Sequence, residues 1–323
     1  MIRLLHKAIV GTIRRLPLRA ACFVFRGYNK VLRLLGPEHV ATTFFGAKLH
    51  CSTDDLIQRM ILHFGVWEPD VSRVIEQNLK SGDVFVDIGA NIGYDTLLAS
   101  ARVGRAGQVV AIEASPRTFA LLQKNLALNS ASVNVRAINA AVSDKPGTLE
   151  LYEISSANIG AATTLASRGG TLMASVEARP LDQILTADEI QRLRLIKMDV
   201  EGAEPPILQD ILNQLHLYPQ TMDIVVEASP QDDFAAWRNV FDRLRTAGFS
   251  AWTIDNSYEL EWYLRWRHPA ALQRIEAMPA HQQDLLFTRR QPAGPGRHDF
   301  CKAWTMFIIR PVQPCSIRSS ARS

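Results

Sequence analysis

Four cysteines in 323 residues, Cys22, Cys51, Cys301 and Cys315, are too few and too scattered for a disulfide framework, and no C-x-x-C pair or zinc-type spacing occurs. That scarcity points to a reducing compartment, the cytoplasm. No apolar run is long enough to span a bilayer, so no transmembrane helix is predicted. The N-terminus lacks the long apolar core and small-residue cleavage site of a secretory signal, and the absence of serine from residues 1–36 disfavours an organelle transit peptide. Residues 1–36 also contain no Asp or Glu. They carry a net +8 and residues 289–323 a further +6, so the chain's formal +4 hides a central −10. The basic charge therefore lies at the two ends, not around a central site, which argues against a nucleic-acid enzyme. At 47% hydrophobic and 21% charged residues, the composition is that of an ordinary globular protein and excludes disorder of the whole chain.

What is present first is a basic amphipathic arm. Ile2, Leu5, Ile9, Ile13 and Leu16 recur at helical spacing with Arg3, Lys7 and Arg14 off the stripe, and Pro17 interrupts. Val24, Tyr28, Val31 and Leu35 repeat the pattern beside Arg26, Lys30 and Arg33. Two readings stand: peripheral contact with an anionic membrane, or a helical arm packed on its own domain or on a second subunit. The expected layout is an arm over 1–50, a catalytic domain over 51–290 with an insertion at 255–283, and a basic tail over 291–323.

From residue 83 the chain alternates strand-like and helix-like stretches, the pattern of a parallel sheet covered on both faces. Strands are expected at 84–88, 108–113, 133–142, 193–199, 222–228, 249–254 and 284–289, and helices at 92–103, 116–129, 205–215 and 234–247. The turn S-D-K-P-G followed by T-L-E-L-Y-E-I suggests an inserted hairpin. Residues 155–170, rich in Ser, Ala, Thr and Gly, read as a mobile loop, and the 255–283 insertion, with Trp262, Tyr263, Trp266 and His268, as helical.

The most informative segment is V-F-V-D-I-G-A-N-I-G at 84–93. In a parallel α/β sheet the loop leaving the first strand approaches a ligand most closely, and glycine is needed where a side chain would block it. Here Asp87 ends the strand, Gly89 and Gly93 shape the loop, and Asn91 lies between them. A dinucleotide fingerprint would read G-x-G-x-x-G, and Asp87 would repel a pyrophosphate. The second strand ends in Glu113, whose carboxylate can accept hydrogen bonds from both hydroxyls of a ribose. Residues 139–144, with Asn139 and Asp144, are expected to build the adenine pocket.

F-V-D-I-G-A-N-I-G-Y-D-T, then I-E-A-S-P, N-A-A-V-S-D-K-P-G, L-D-Q-I-L and I-K-M-D-V-E-G-A-E resemble, in order and spacing, the FkbM-type methyltransferases. The resemblance covers residues 56–289. It implies an α/β, Rossmann-like class I methyltransferase fold: a seven-stranded, mostly parallel sheet of order 3-2-1-4-5-7-6 with helices on both faces. It also implies S-adenosylmethionine as cofactor and a small molecule, polyketide, sugar or glycan hydroxyl as methyl acceptor.

Methyl transfer to a hydroxyl needs the acceptor oxygen held in line and its proton removed. Asp199, ending the fourth strand, is the first candidate base, with Glu201 and Glu204 following and Glu227 ending the adjacent fifth strand. Asp199 and Glu227 are expected to flank one cleft, either as base and orienting group or as ligands of a magnesium ion. Glu201 and Glu204 also suit the cap of a helix starting at Pro205, and Lys197 shares a strand face with Asp199. None of the eight histidines falls in a motif. Trp262, Tyr263 and Trp266 read either as a stacking wall for a sugar or as the buried side of a helix. The competing functions are a membrane-associated scaffold that keeps the fold without turnover, and a nucleic-acid methyltransferase. The latter would want an NPPY-like or DPPY-like motif, or a strand-ending Pro-Cys; Cys315 follows Pro314, but in the tail.

Overall fold

The computed structural model describes residues 2–153, 162–163, 170–266 and 269–294. Most of the 155–170 loop, His268, Cys301, Cys315 and the tail from 295 lie outside the described residues. The arm comprises α1 (Ile2–Ile13), α2 (Leu18–Leu34), and a hairpin of β1 (Glu38–Thr42) and β2 (Lys48–Ser52). It is thus not helical throughout, as expected, because its last third pairs as two antiparallel strands. Next come α3 (Leu56–Phe64) and α4 (Pro69–Asn78). The alternating region begins with β3 (Val84–Ile88), α5 (Tyr94–Val103), β4 (Gln108–Ile112), α6 (Pro116–Ala127), β5 (Val135–Ile138) and β6 (Ala141–Val142). It continues through β7 (Gly147–Glu153), β8 (Ala162–Thr163), β9 (Thr171–Arg179), α7 (Leu181–Ile184), α8 (Ala187–Gln191), β10 (Leu193–Met198) and α9 (Glu204–Asn213). It closes with β11 (Asp223–Ala228), α10 (Phe234–Thr246), β12 (Ser250–Ile254), α11 (Leu260–Arg265), β13 (Gln273–Ile275) and β14 (Gln283–Thr288).

The main sheet runs β5-β4-β3-β10-β11-β14-β12-β13. Its first seven strands follow the expected 3-2-1-4-5-7-6 order, and β14 is antiparallel to both neighbours. An eighth strand, β13, extends the edge antiparallel to β12. It comes from the insertion at 255–283, whose described residues form the short α11 and this strand where a helical segment was expected. The single strand expected at 133–142 breaks into β5 and β6. The S-D-K-P-G turn does not close a hairpin between its flanking strands, because β6 and β7 both pair with β9 in a second, four-stranded sheet.

Every residue of β3, β10 and β11 is buried, as central parallel strands require. Period two divides them: Val84, Val86 and Ile88 join Ile207, Trp237 and Val240 on one face, while Phe85 meets Val71, Val74 and Leu98 on the other. Asp87 shares the Phe85 face, which fixes its outlook towards α5. The chain leaves β3 in one direction for β4 and β5, and enters β10 and β11 in the other. The carboxyl ends of β3 and β10 are therefore the switch point where such sheets bind ligands.

The arm packs on its own domain through one face. Ala21, Cys22 and Phe25 of α2 are buried in a cluster with Met60, Phe64, Tyr263 and Leu264. Arg14 donates to the carbonyls of Leu264 and Trp266, and Cys22 Sγ lies 3.4 Å from Glu261 Oε1. Among the described residues, no helix is long and apolar enough to cross a membrane.

Candidate active site

Two adjoining hollows open at the β3/β10 switch point and share Ile57, Gly89, Asn91, Asp199 and Glu201. The first runs over Ile112, Glu113 and Ala114 to Ala140, Val142 and Leu151. The second runs past Asp95 and Lys197 to Glu68, Glu227, Tyr258 and Gln282.

The glycine loop is built by close approach. Gly89 takes φ +81, and a Cβ there would stand 1.8 Å from the Asp199 carbonyl oxygen, so only glycine lets the ends of β3 and β10 meet. Gly93, at φ +92, precedes α5 and faces Leu122. Asn91 is left-handed at φ +48, which turns its N–H onto Glu113 Oε2 at 2.8 Å. Ser115 N donates to the other oxygen, Oε1, at 2.9 Å. Glu113 is therefore anchored from two sides at the end of β4. Ser115 also caps α6, accepting from Thr118 N ahead of Pro116.

Non-glycine residues in the left-handed region are Glu68 (φ 41), Asn91 (φ 48) and Glu201 (φ 57) among those described. All three line the second hollow. Backbone strain of this kind costs stability and gathers where geometry serves a site. Thr163 Oγ1 holds the Glu201 carbonyl at 2.8 Å, bringing the second sheet over the hollow.

Charge in this region is lopsided. The Lys197 ammonium sits 3.2 Å from Asp95 Oδ2 and 3.4 Å from Asp199 Oδ2. Burial works against that ammonium, but the carboxylates of Asp95, Asp199, Glu68 and Asp87 outweigh it and hold its pKa well above the ordinary value. Asn256 Nδ2 bridges Glu68 Oε1 at 3.1 Å and Asp284 Oδ2 at 2.7 Å. Tyr258 and Gln282 both donate to Glu227 Oε1. Burial holds Glu227 well above the ordinary carboxylate range, and the Asp199 and Asp284 charges push it further. The Trp67 and Tyr258 rings stack at 5.4 Å and 4° to form a flat wall.

Asp87, Gly89, Asn91, Gly93 and Glu113 thus converge on one loop, and Asp199, Glu201 and Glu227 on the adjoining hollow. Asp87 itself stays beneath the surface, accepting Thr96 Oγ1 at 2.5 Å. Asn139 does not face the first hollow with its amide, which is spent on the carbonyls of Glu113 and Ala114. Asp144 lies in a separate depression with Ser143, Pro205 and Gln231. Glu204 folds back to accept Val200 N at 3.0 Å and so braces the turn before α9, where a helix cap was expected. Tyr263 and Trp266 belong to the buried cluster beneath the arm, and the half-buried Trp262 packs against it. Tyr263 Oη accepts Glu68 N, and Trp266 Nε1 donates to Asp70. Sequence reasoning missed Trp67, Glu68, Asp95, Tyr258 and Gln282. The available signals were Pro69, marking a helix start beside Glu68, and Asp95 in the first turn of α5.

Burial raises Asp87, Glu113, Glu204 and Asp284 to about 7, against relief from Lys197, from the Ser115 and Asn91 amides, from Val200 N and from Asn256 respectively. A carboxyl raised in the folded state contributes stability that is complete below its unfolded pKa and is lost as pH rises through the folded one. The thermal midpoint of the ligand-free protein is therefore expected to fall between about pH 5 and about pH 8. Thermal unfolding across that range checks it, and a midpoint that rises would contradict the burial of these acids.

A profile of the family described as the methyltransferase FkbM domain matches residues 87–251, about half the chain. The chain belongs to the FkbM methyltransferase family. The methyltransferase sdnD of Sordaria araneosa is 30% identical over 162 residues, covering 42% of this chain and 62% of the relative. The hexuronic acid methyltransferase AglP of Haloferax volcanii is 26% identical over 148 residues, covering 46% and 58%. The chain thus spans about 60% of the length of these curated relatives. Among solved structures, a SAM-dependent O-methyltransferase from Thermotoga maritima is 16% identical with a TM-score of 0.39, covering 78% of this chain and 77% of that one. A precorrin-6y C5,15-methyltransferase from Geobacter metallireducens is 13% identical with a TM-score of 0.38, covering 68% and 87%.

S-adenosylmethionine, the cofactor this family implies, suits the donors present. Glu113 offers carboxylate oxygens to a ribose diol, and Ile112, Ala140, Val142 and Leu151 offer an apolar slot to a flat base. Asp87 Oδ1 and Asp95 Oδ1, both buried beside the loop, meet no donor among the described residues and suit an ammonium group. A magnesium site finds less support: among the described residues no three His, Cys, Asp or Glu side chains are grouped to hold a metal ion.

Proposed function

We propose that the chain is an S-adenosylmethionine-dependent O-methyltransferase acting on an uncharged hydroxyl-bearing small molecule or glycan. The observation that carries this reading is the continuity of the two hollows through Gly89, Asn91 and Asp199. One hollow has the chemistry of a nucleoside site, and the other is a polar cleft ending at the same loop. The bound cofactor would supply an electrophilic methyl group on a sulfonium. Glu113 would hold its ribose, and Asp87 and Asp95 would receive its ammonium group.

Asp199 sits where the hollows meet, with its side chain 29% exposed and Lys197 beside it. It takes the acceptor's hydroxyl proton at a carboxylate oxygen. Glu227, its Oε1 already engaged by Tyr258 and Gln282, orients the acceptor through Oε2. Glu201 closes the rim. An uncharged acceptor fits a hollow whose lining cation, Lys197, is already engaged by Asp95 and Asp199. A carboxylate or phosphate entering there would find no free cation among the described residues to receive it. This also disfavours a nucleic-acid substrate, and the Trp67–Tyr258 wall suits the flat face of a sugar or macrocycle.

Transfer of labelled methyl groups from S-adenosylmethionine into fractionated cell extract, with mass spectrometry of the product, tests the reading. A neutral O-methylated product, formed equally well with EDTA present, is expected. A methylated carboxylic acid, a methylated nucleic acid or no product would overturn it, and loss of activity with EDTA would restore the magnesium alternative for Asp199 and Glu227.

A further inference from the structure

Helix α2 is covered on one side only. Ala21, Cys22 and Phe25 face the domain, whereas Phe23, Leu34 and Leu35 stand 80%, 79% and 77% exposed. At about 3.6 residues per turn, Phe23 and Leu34 lie almost on one line along the outer face. Val24, Val31 and Leu35 fall to one side of that line, and Arg19, Arg26, Lys30 and Arg33 to the other. All four cations are exposed, including Arg33, which reaches Asp54 at 2.8 Å. The apolar side continues into a groove between the arm, α3 and β1, where Val31 and Leu35 meet Ile9, Val40 and Leu62. No acid precedes Glu38 to offset the charge.

We propose that the outer face of α2 docks on an anionic phospholipid surface, with Phe23, Leu34 and Leu35 entering the interface and Arg19, Arg26 and Lys30 meeting the phosphates. An apolar ridge flanked by cations is complementary to a bilayer boundary, where acyl chains and anionic headgroups lie side by side. A second copy is a poorer occupant, because a two-fold contact would set this acid-free face against itself and bring like charges together. Nucleic acid would satisfy the cations but leave the three large apolar side chains without apolar contact. The contact is peripheral and independent of the activity proposed above.

Co-sedimentation of the full chain with vesicles of phosphatidylcholine alone, and of phosphatidylcholine mixed with phosphatidylglycerol, tests this. Binding to the mixed vesicles, weakened by salt, and little binding to the neutral ones are expected. The triple variant Arg19→Glu, Arg26→Glu, Lys30→Glu is expected to lower partition more than about tenfold. Phe23→Ser, Leu34→Ser, Leu35→Ser is expected to do the same with an unchanged thermal midpoint, since these side chains are already exposed. No binding by the parent, equal binding to both lipids, or either variant sedimenting like the parent would overturn the proposal. So would a concentration-dependent dimer that the serine variant dissolves in the absence of vesicle binding, which would assign the face to a second copy.

Discussion

Replacing Asp199 with Asn is expected to lower methyl transfer by about 10²- to 10⁴-fold while leaving S-adenosylmethionine affinity within a few-fold of the parent. The substitution keeps the side chain's size and one acceptor oxygen, so the partner of Lys197 survives in shape but the proton acceptor is gone. Glu227 cannot readily substitute, because burial and the Asp284 charge hold it well above the ordinary carboxylate range. Single-turnover rates alongside cofactor titration separate the two effects. An Asn variant with parental turnover would remove Asp199 from proton transfer.

Gly89→Ala is expected to be strongly destabilising. The added Cβ would sit 1.8 Å from the Asp199 carbonyl oxygen and 2.9 Å from its carbon, and both are backbone atoms of a central strand junction. Relief requires the ends of β3 and β10 to part, in addition to the strain of alanine at φ +81. Together these cost about 3–5 kcal/mol. At Gly93 the corresponding clash is with Leu122 Cδ1 at 2.5 Å, the far end of a side chain that can turn away. Gly93→Ala is therefore expected to cost about half as much. Chemical denaturation of the two variants checks the order, and Gly89→Ala unfolding with the parent's midpoint would contradict the close approach.

The parts of this fold visible in the sequence are those whose signals are local. β3, α6, β10 and α10 announce themselves through an apolar run ahead of a glycine loop, a Ser-Pro start, a motif, and an Asp233 cap with Gly248 beyond the end. The same holds for half of the site: the glycine loop and Glu113 are adjacent βα units of one pattern. The other half is tertiary. Glu68 comes from the turn before α4, Tyr258 from the segment before α11, and Gln282 from the approach to β14, so nothing near them in the chain marks a shared cleft. Pairing was illegible for a similar reason. β6 and β7 are separated by a good turn sequence, yet both pair with β9, some thirty residues on. Trp262, Tyr263 and Trp266 had the composition of a stacking wall and pack in or against the core because α2 covers them.

The loop at 87–93 and Glu113 are proposed to form one S-adenosylmethionine site. Calorimetric titration of S-adenosylmethionine into the parent and into Glu113→Ala tests it most directly, with thermal unfolding as a control, because Glu113 also holds the amides of Asn91 and Ser115. One site per chain in the parent and affinity weakened by about 10²-fold or more in a still-folded variant are predicted, as expected for losing charge-assisted bonds to two ribose hydroxyls. Absence of binding by the parent, or equal affinity in the variant, would contradict the account.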